Sequence, residues 1–296
     1  MATVREAPLV VIVGPTASGK TGLAIKLAKH WGGEIISADS RSIYRGMDIG
    51  TAKPSLVEQE GVVHFGLDLA DPDQRFTAAD FKKYAEAKIV DIRNREKVPI
   101  LVGGTGLYID GVIFDYSFDN SFNPELRATL QNLSAEELVE YCNQHSIELP
   151  QNRGNKRHLI RAIEIGGINH KRNSSLIDNC FVVGISPSRV ELRERARQRA
   201  HIMFSAGVVE ETIKLTQQFD WSLPSMSGSI YPIINRLLLG EISEAEVIEL
   251  AVQSDMRLAK RQITWFRRNK AILWSESAEK GYLLASKALQ AYKAEH

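Results

Sequence analysis

The chain has 296 residues, 44% of them hydrophobic and 25% charged, and a net charge of +1. These totals suit one large or two modest globular domains and exclude a uniformly basic nucleic-acid binder. No apolar run approaches the ~20 residues of a membrane helix, Met1 to Pro8 has no signal-peptide core, and Cys142 and Cys180 lack metal-ligand spacing or a disulfide framework. The expectation is a cytoplasmic monomer with reduced thiols and no membrane partner.

In chain order, the apolar run Leu9 to Val13 leads into Gly14-Pro15-Thr16-Ala17-Ser18-Gly19-Lys20-Thr21, and a helical stripe of Leu23, Ala24, Leu27 and Ala28 follows. This is the phosphate-binding loop G-x-x-x-x-G-K-[ST] between strand and helix. Its glycines let backbone N–H groups converge on an anion at a helix N-terminus. Lys20 supplies a charge for the outer phosphate, and Thr21 a hydroxyl for Mg²⁺. The motif identifies a bound di- or triphosphate without saying which.

Glu34 to Ser37 reads as a buried strand ending at Asp39-Ser40. In an open α/β sheet that position faces the ligand, so Asp39 is expected near the phosphate loop. There it has three open uses: holding Mg²⁺ through water, acting as general base, or capping a helix. Gly46 to Pro54 reads as an ordered loop, and Thr77-x-x-Asp80 opens a helix to about Arg95. Val98 to Val102 is a further strand ending in Gly103-Gly104-Thr105-Gly106, where glycines permit close approach of a ligand. Strands that each end in Gly, Ser, Thr or Asp describe a parallel sheet flanked by helices, with one active edge.

From about Asn120 the character changes, and between Phe122 and Ile177 there is no strand-like run. Ser134-x-x-Glu137 caps one helix, and a second runs from about Asn155 to Ile165, ending at Gly166-Gly167. The expectation is a core of residues 1–119 and 179–296 carrying a helical insertion, 120–178. Cys180 to Ile185 returns to strand. Ser188-x-x-Glu191 caps a long helix broken at Gly207, Gly228 to Pro232 is irregular, Ser243-x-x-Glu246 caps a final long helix to about Asn269, and Ile272 to Trp274 adds a strand.

Three basic clusters interrupt the balanced charge: Arg153 to Arg161, Arg189 to Arg199, and Arg257 to Lys270. On the last, Arg257, Arg261, Thr264 and Arg268 share one helical face, and Met256, Ala259, Ile263 and Phe266 another. Such a stripe is either solvated surface or a track for an RNA backbone. The arginines of the middle cluster also fit a phosphate clamp.

Five stretches together resemble the tRNA dimethylallyltransferase (tRNA isopentenyltransferase) family over residues 8–275: the phosphate loop, Ile36 to Ser40, Tyr44 to Pro54, Val102 to Tyr108, and Leu258 to Arg267. The resemblance implies a P-loop NTPase-like fold with a helical tRNA-binding insertion. It implies transfer of a dimethylallyl group from dimethylallyl diphosphate to the exocyclic amine of the adenine 3′ to the anticodon, with Mg²⁺ as cofactor. Lys20, Asp39 as general base, and Thr105 match catalytic positions. Ser40, Arg41 and Ser42 with Asp39, then Arg127, Arg157, His158 and Arg161 in the insertion, and Lys260, Arg261 and Arg267 on the last basic helix, match a surface for the anticodon stem-loop. The chain departs from the family's Ile-Gly-Tyr-Lys/Arg-Glu segment, keeping the tyrosine in Ser229-Ile230-Tyr231-Pro232-Ile233, and carries Met256 where an arginine is usual. Two other readings remain: a P-loop kinase for a small acceptor with ATP as nucleotide, and a non-catalytic tRNA-binding relative.

Overall fold

The structure is a computed structural model that describes residues 6–118, 123–150, 152–166, 173–228 and 230–294. The expected boundary at 119–120, Gly167 and Ser229 fall outside these residues.

Strand β1 (Leu9–Val13) is buried at every position, because it lies in the middle of a parallel sheet with both faces covered. The order across the sheet is β3 (His64–Phe65), β2 (Gly33–Ala38), β4 (Val98–Gly103), β1, β5 (Cys180–Ile185) and β6 (Ile272–Ser275), all parallel. Side chains alternate between the faces, as the pleat requires. Val10, Ile12, Ile35, Ile100 and Val183 pack against α1 (Lys20–Trp31) and α11 (Ala278–Ala294) through Leu23, Leu27, Ala285 and Leu289. Val11, Val13, Ile36, Leu101 and Val182 face α2 (Ala78–Asn94) and α3 (Gly106–Ile113) through Phe81, Ile89, Tyr108 and Ile109. Every loop after a strand therefore opens on one edge of the sheet.

A third core joins α7 (Arg189–Ser205), α8 (Val208–Thr216), α9 (Tyr231–Leu238) and α10 (Glu244–Phe266) around Met203, Val208, Ile234 and Val247. Capping boxes at Ser188/Glu191 and Ser243/Glu246 start α7 and α10, and Gly207, at φ 95°, separates α7 from α8.

Contacts divide the chain into Met1–Phe114 with Ser175–His296, and Asp115–Ser174. The second unit packs α4 (Pro124–Asn132), α5 (Ala135–Gln144) and α6 (Lys156–Glu164) around Leu130, Leu138, Cys142, Leu159 and Ile163. Asn123, Ser134 and Asn155 cap these helices. Both thiols are free; Cys142 is buried, and burial pushes Cys180 up to about 12.

The structure corrects the sequence reading in several places. Strand β3 has only two residues, too few for an alternating pattern. Helices α3, α4 and α11 were not anticipated. The segment expected to be irregular through Pro232 turns helical at Tyr231, with Pro232 in the first turn, where its missing N–H has no helical partner to lose. Helix α10 stops at Phe266 and is followed by β6 and α11, so it is not the last helix.

Candidate active site

The phosphate loop leaves β1 under tight steric constraint. A Cβ on Gly14 would lie 2.7 Å from the Ile185 carbonyl oxygen. Ala17 (φ 61°) and Gly19 (φ 86°) are both left-handed, which turns successive N–H groups toward one hollow. Ser18 Oγ is buried without a hydrogen-bond partner, an unsatisfied polar atom within the loop itself. Lys20 Nζ donates to the Pro15 carbonyl at 3.2 Å. Burial pulls its pKa down to about 8; Asp39 opposes the fall, Arg199 adds to it, and Asp255 opposes it.

The loop faces a cleft of about 790 Å³ at the C-terminal edge of the sheet. Thr16 to Thr21, Asp39 to Ser42, Thr105 and Arg261 all line it, so sequence-distant candidates meet in one place. Asp39 follows β2, and its Oδ1 accepts the Arg41 N–H at 2.8 Å. Thr105 ties the ends of β2 and β4 together. Its N–H donates to the Ala38 carbonyl at 3.2 Å, and its Oγ1 accepts the Ser40 N–H at 2.9 Å and donates to Ser40 Oγ at 3.3 Å. The Arg41 guanidinium donates to the carbonyls of Pro224 at 2.9 Å and Ser225 at 3.3 Å, fixing the turn before α9. Ser42 is only 4% exposed.

Several residues that line or brace the cleft carry no specific sequence assignment. Arg199 was one arginine among several on α7. Its Nη2 donates to Asp255 Oδ1 at 3.2 Å and lies 3.1 Å from Oδ2 in an ion pair, while its buried Nε has no partner. Burial raises the Asp255 pKa, with Arg199 and then Lys20 opposing. The available signal was an acid on the apolar stripe of α10, between buried Ala251 and Ala259. Arg195 Nη1 donates to the Ser18 carbonyl at 3.2 Å, bracing the loop from α7. From α10, Gln262 Oε1 accepts the Thr16 N–H at 2.8 Å. Glu211 on α8 accepts the N–H groups of Asp48, Ile49 and Gly50 at 2.8–2.9 Å and the Tyr231 hydroxyl at 2.8 Å. This carboxylate holds the ordered loop whose Gly50 and Thr51 form a wall of the cleft, and the Tyr231 hydroxyl buttresses it.

Arg257, Lys260, Arg261, Arg267 and Arg268 are exposed, whereas Ala259 and Phe266 are buried, so the basic stripe and the apolar face of α10 separate as the spacing requires. In the second unit Arg157 and His158 are exposed. Arg127 and Arg161 both approach Glu164, at 3.5 and 3.3 Å, and the Glu164 side chain is 1% exposed. Among the described residues no three His, Cys, Asp or Glu side chains form a metal cluster, and no helix is long and apolar enough to cross a membrane.

Residues 42–269 match the family model described as IPP transferase. A tRNA dimethylallyltransferase of Bacillus velezensis is 37% identical across 92% of this chain and 91% of that protein, so this likeness extends over most of the chain. A tRNA isopentenylpyrophosphate transferase of Bacillus halodurans has a similar crystal structure, with a TM-score of 0.74 at 32% identity over 99% of this chain and 100% of that one. A eukaryotic dimethylallyltransferase crystallised acting on tRNA superposes with a TM-score of 0.76 over 92% of this chain and 74% of that one; at 22% identity it speaks for the fold alone.

Proposed function

The chain belongs to the IPP transferase family, and we propose that it moves a dimethylallyl group from dimethylallyl diphosphate to the exocyclic amine of the adenine 3′ to a tRNA anticodon, releasing diphosphate. The observation that carries this reading is the meeting of an anion cradle and the Asp39 carboxylate in one cleft. A kinase cradle donates a phosphoryl group. Here the cradle holds the leaving group, and the bond that breaks joins carbon to oxygen.

Amide groups of the loop, Lys20 and the remaining donors of Arg199 take up the charge that grows on the departing diphosphate. Asp255 fixes Arg199 through Nη2 and leaves its buried Nε without a partner. Asp39 accepts the proton lost as the amine nitrogen bonds to carbon, and Thr105 holds the Ser40 backbone beside it. The donor set suits magnesium, because Thr21 supplies one hard oxygen and the substrate supplies phosphate oxygens, which is this ion's usual mode. When bound, the ion offsets diphosphate charge. The adenine must leave its stack to enter the cleft. Lys260, Arg261 and Arg267, with Arg157, His158, Arg127 and Arg161 of the insertion, serve the phosphates of the anticodon stem-loop. We read the enzyme as a cytoplasmic monomer.

The test is incubation with dimethylallyl diphosphate, Mg²⁺ and unmodified tRNA, followed by mass spectrometry of the nucleosides. A dimethylallyl mass gain on adenosine is expected. Its absence with folded protein, or steady ATP turnover on a small acceptor, overturns the reading.

A further inference from the structure

We propose that Gln262 sets the phosphate cradle to two phosphates: its carboxamide closes the place where a third phosphoryl group would bind, and so selects a diphosphate donor against triphosphates. This rests on the cleft being a diphosphate site, as argued above, and names what makes it one.

The loop motif by itself does not count phosphates, since it holds di- and triphosphates alike. The difference lies in which of its N–H groups remain available. Thr16 is 7% exposed, and its N–H is already engaged by Gln262 Oε1 at 2.8 Å. The other end of the same carboxamide, Nε2, donates to the Gly104 carbonyl at 3.1 Å. The amide therefore bridges the phosphate loop and the Gly-Gly-Thr-Gly loop across the cleft, and it is satisfied at both ends. Thr16, Gly104 and Gln262 all line the cleft that the phosphate loop faces, so the bridge takes up part of that cleft.

The bridge is built into the backbone. A Cβ at Gly104 would stand 2.2 Å from Gln262 Nε2, and one at Gly106 would stand 2.3 Å from the Trp265 ring. Trp265 Nε1 in turn donates to Asp110 at 2.8 Å. These two glycines let α10 lie flat on the loop after β4, which holds Gln262 in register. A third phosphoryl group would have to displace the carboxamide, then face the exposed carbonyl of Gly104 with Asp39 in the same cleft. A neutral prenyl carbon makes no such demand. The cost of leaving Thr16 N–H and Gly104 C=O unpaired, set against a charged ligand that gains one donor and meets one acceptor, favours the two-phosphate ligand.

The experiment is a calorimetric titration of the full chain, with Mg²⁺, by inorganic pyrophosphate and by linear tripolyphosphate. Wild-type protein is expected to prefer pyrophosphate by about tenfold or more, the worth of one hydrogen bond to a charged group. Gln262→Ala should narrow that ratio by about tenfold, with tripolyphosphate gaining. A thermal melt of each sample checks folding. Equal affinities in the wild-type protein overturn the proposal whatever the variant does, and so does an unchanged ratio in folded Gln262→Ala. Prenyl transfer to tRNA is measured separately. Active enzyme without phosphate discrimination sinks only the role of Gln262; discrimination without prenyl transfer sinks only the reaction assigned above.

Discussion

At the N-terminal end of the sheet, Glu34 lies between Arg95 and Lys97, with Lys97 Nζ at 2.6 Å. At the catalytic edge, Asp255 meets Arg199 at 3.1 Å. Both side chains are almost fully enclosed, 4% and 8% exposed. Burial works to raise both pKa values. For Glu34 it is outweighed by hydrogen bonds from Lys97 and then Arg95, and the pKa falls; for Asp255 the cations do not compensate, and it rises. The difference lies in how the cations are shared. Around Glu34 the positive charge is committed to the carboxylate, which makes a structural clasp. In the cleft, Arg199 and Lys20 are only partly committed, since Arg199 Nε has no partner and Lys20 Nζ donates to a single carbonyl; the function proposed above assigns their remaining donors to the diphosphate.

This contrast is open to direct attack, beginning with the catalytic edge. Asp39→Asn should lower turnover about 10²- to 10⁴-fold, the usual worth of a general base, with pyrophosphate affinity nearly unchanged in calorimetry. A large rise in donor KM at constant kcat would remove Asp39 from the base role. Lys20→Met should reduce turnover about 10²- to 10³-fold and alter a pH signature. With the folded pKa at about 8 and the unfolded value at 10.5, the unfolded chain binds more protons between these limits. Stability of the ligand-free protein should therefore rise with pH across that window, and the rise should be absent from Lys20→Met in urea melts at pH 7.5 and 9.5.

A smaller effect is expected on the basic stripe. Replacing Lys260 and Arg261 together by Ala should weaken tRNA binding about tenfold and reduce the log–log salt slope by about 1 for each lost phosphate contact. A slope equal to that of wild type would make them solvated surface. The mildest change belongs to the far end of the sheet. Glu34→Gln should cost about 1–3 kcal/mol of stability at pH 7 with kcat untouched. Because the folded pKa of Glu34 lies below the ordinary glutamate value of 4.5, the wild-type advantage is fully present above that pH and fades as pH falls through the folded value. Denaturant melts at pH 7 and pH 3 read this out, and a loss of turnover in Glu34→Gln would end the contrast.

What the sequence made legible follows from the range over which each signal acts. The phosphate loop, Asp39 and Thr105 were found because each lies just after an apolar strand-like run, a local pattern. The starts of α2, α5, α7 and α10 were found because a capping box is a four-residue signal. Gln262 meets Thr16 across 246 residues of chain, and Glu211 meets the Asp48–Gly50 backbone across more than 160; no periodicity records such partnerships. Arg199 and Arg197 look alike in sequence, yet Arg197 pairs with Glu249 at 2.6 Å while Arg199 lines the cleft. Only the packing of α7 against α10 separates them. Helix α11 was legible in principle from Leu284, Ala285 and Leu289, with Ser277 Oγ accepting the Lys280 N–H at its start, but its short apolar stripe had no motif beside it.

The state of the two thiols has a practical consequence. Cys142 is enclosed among Leu138, Leu159 and Ile163, and the Cys180 thiol is pushed up to about 12, so at neutral pH neither presents a nucleophilic thiolate. A maleimide dye should therefore pass over the native chain and attach to a cysteine introduced on the outer face of α10, for example at Arg257. The wild-type background is then already suited to fluorescence measurements of RNA arrival, with both native cysteines left in place.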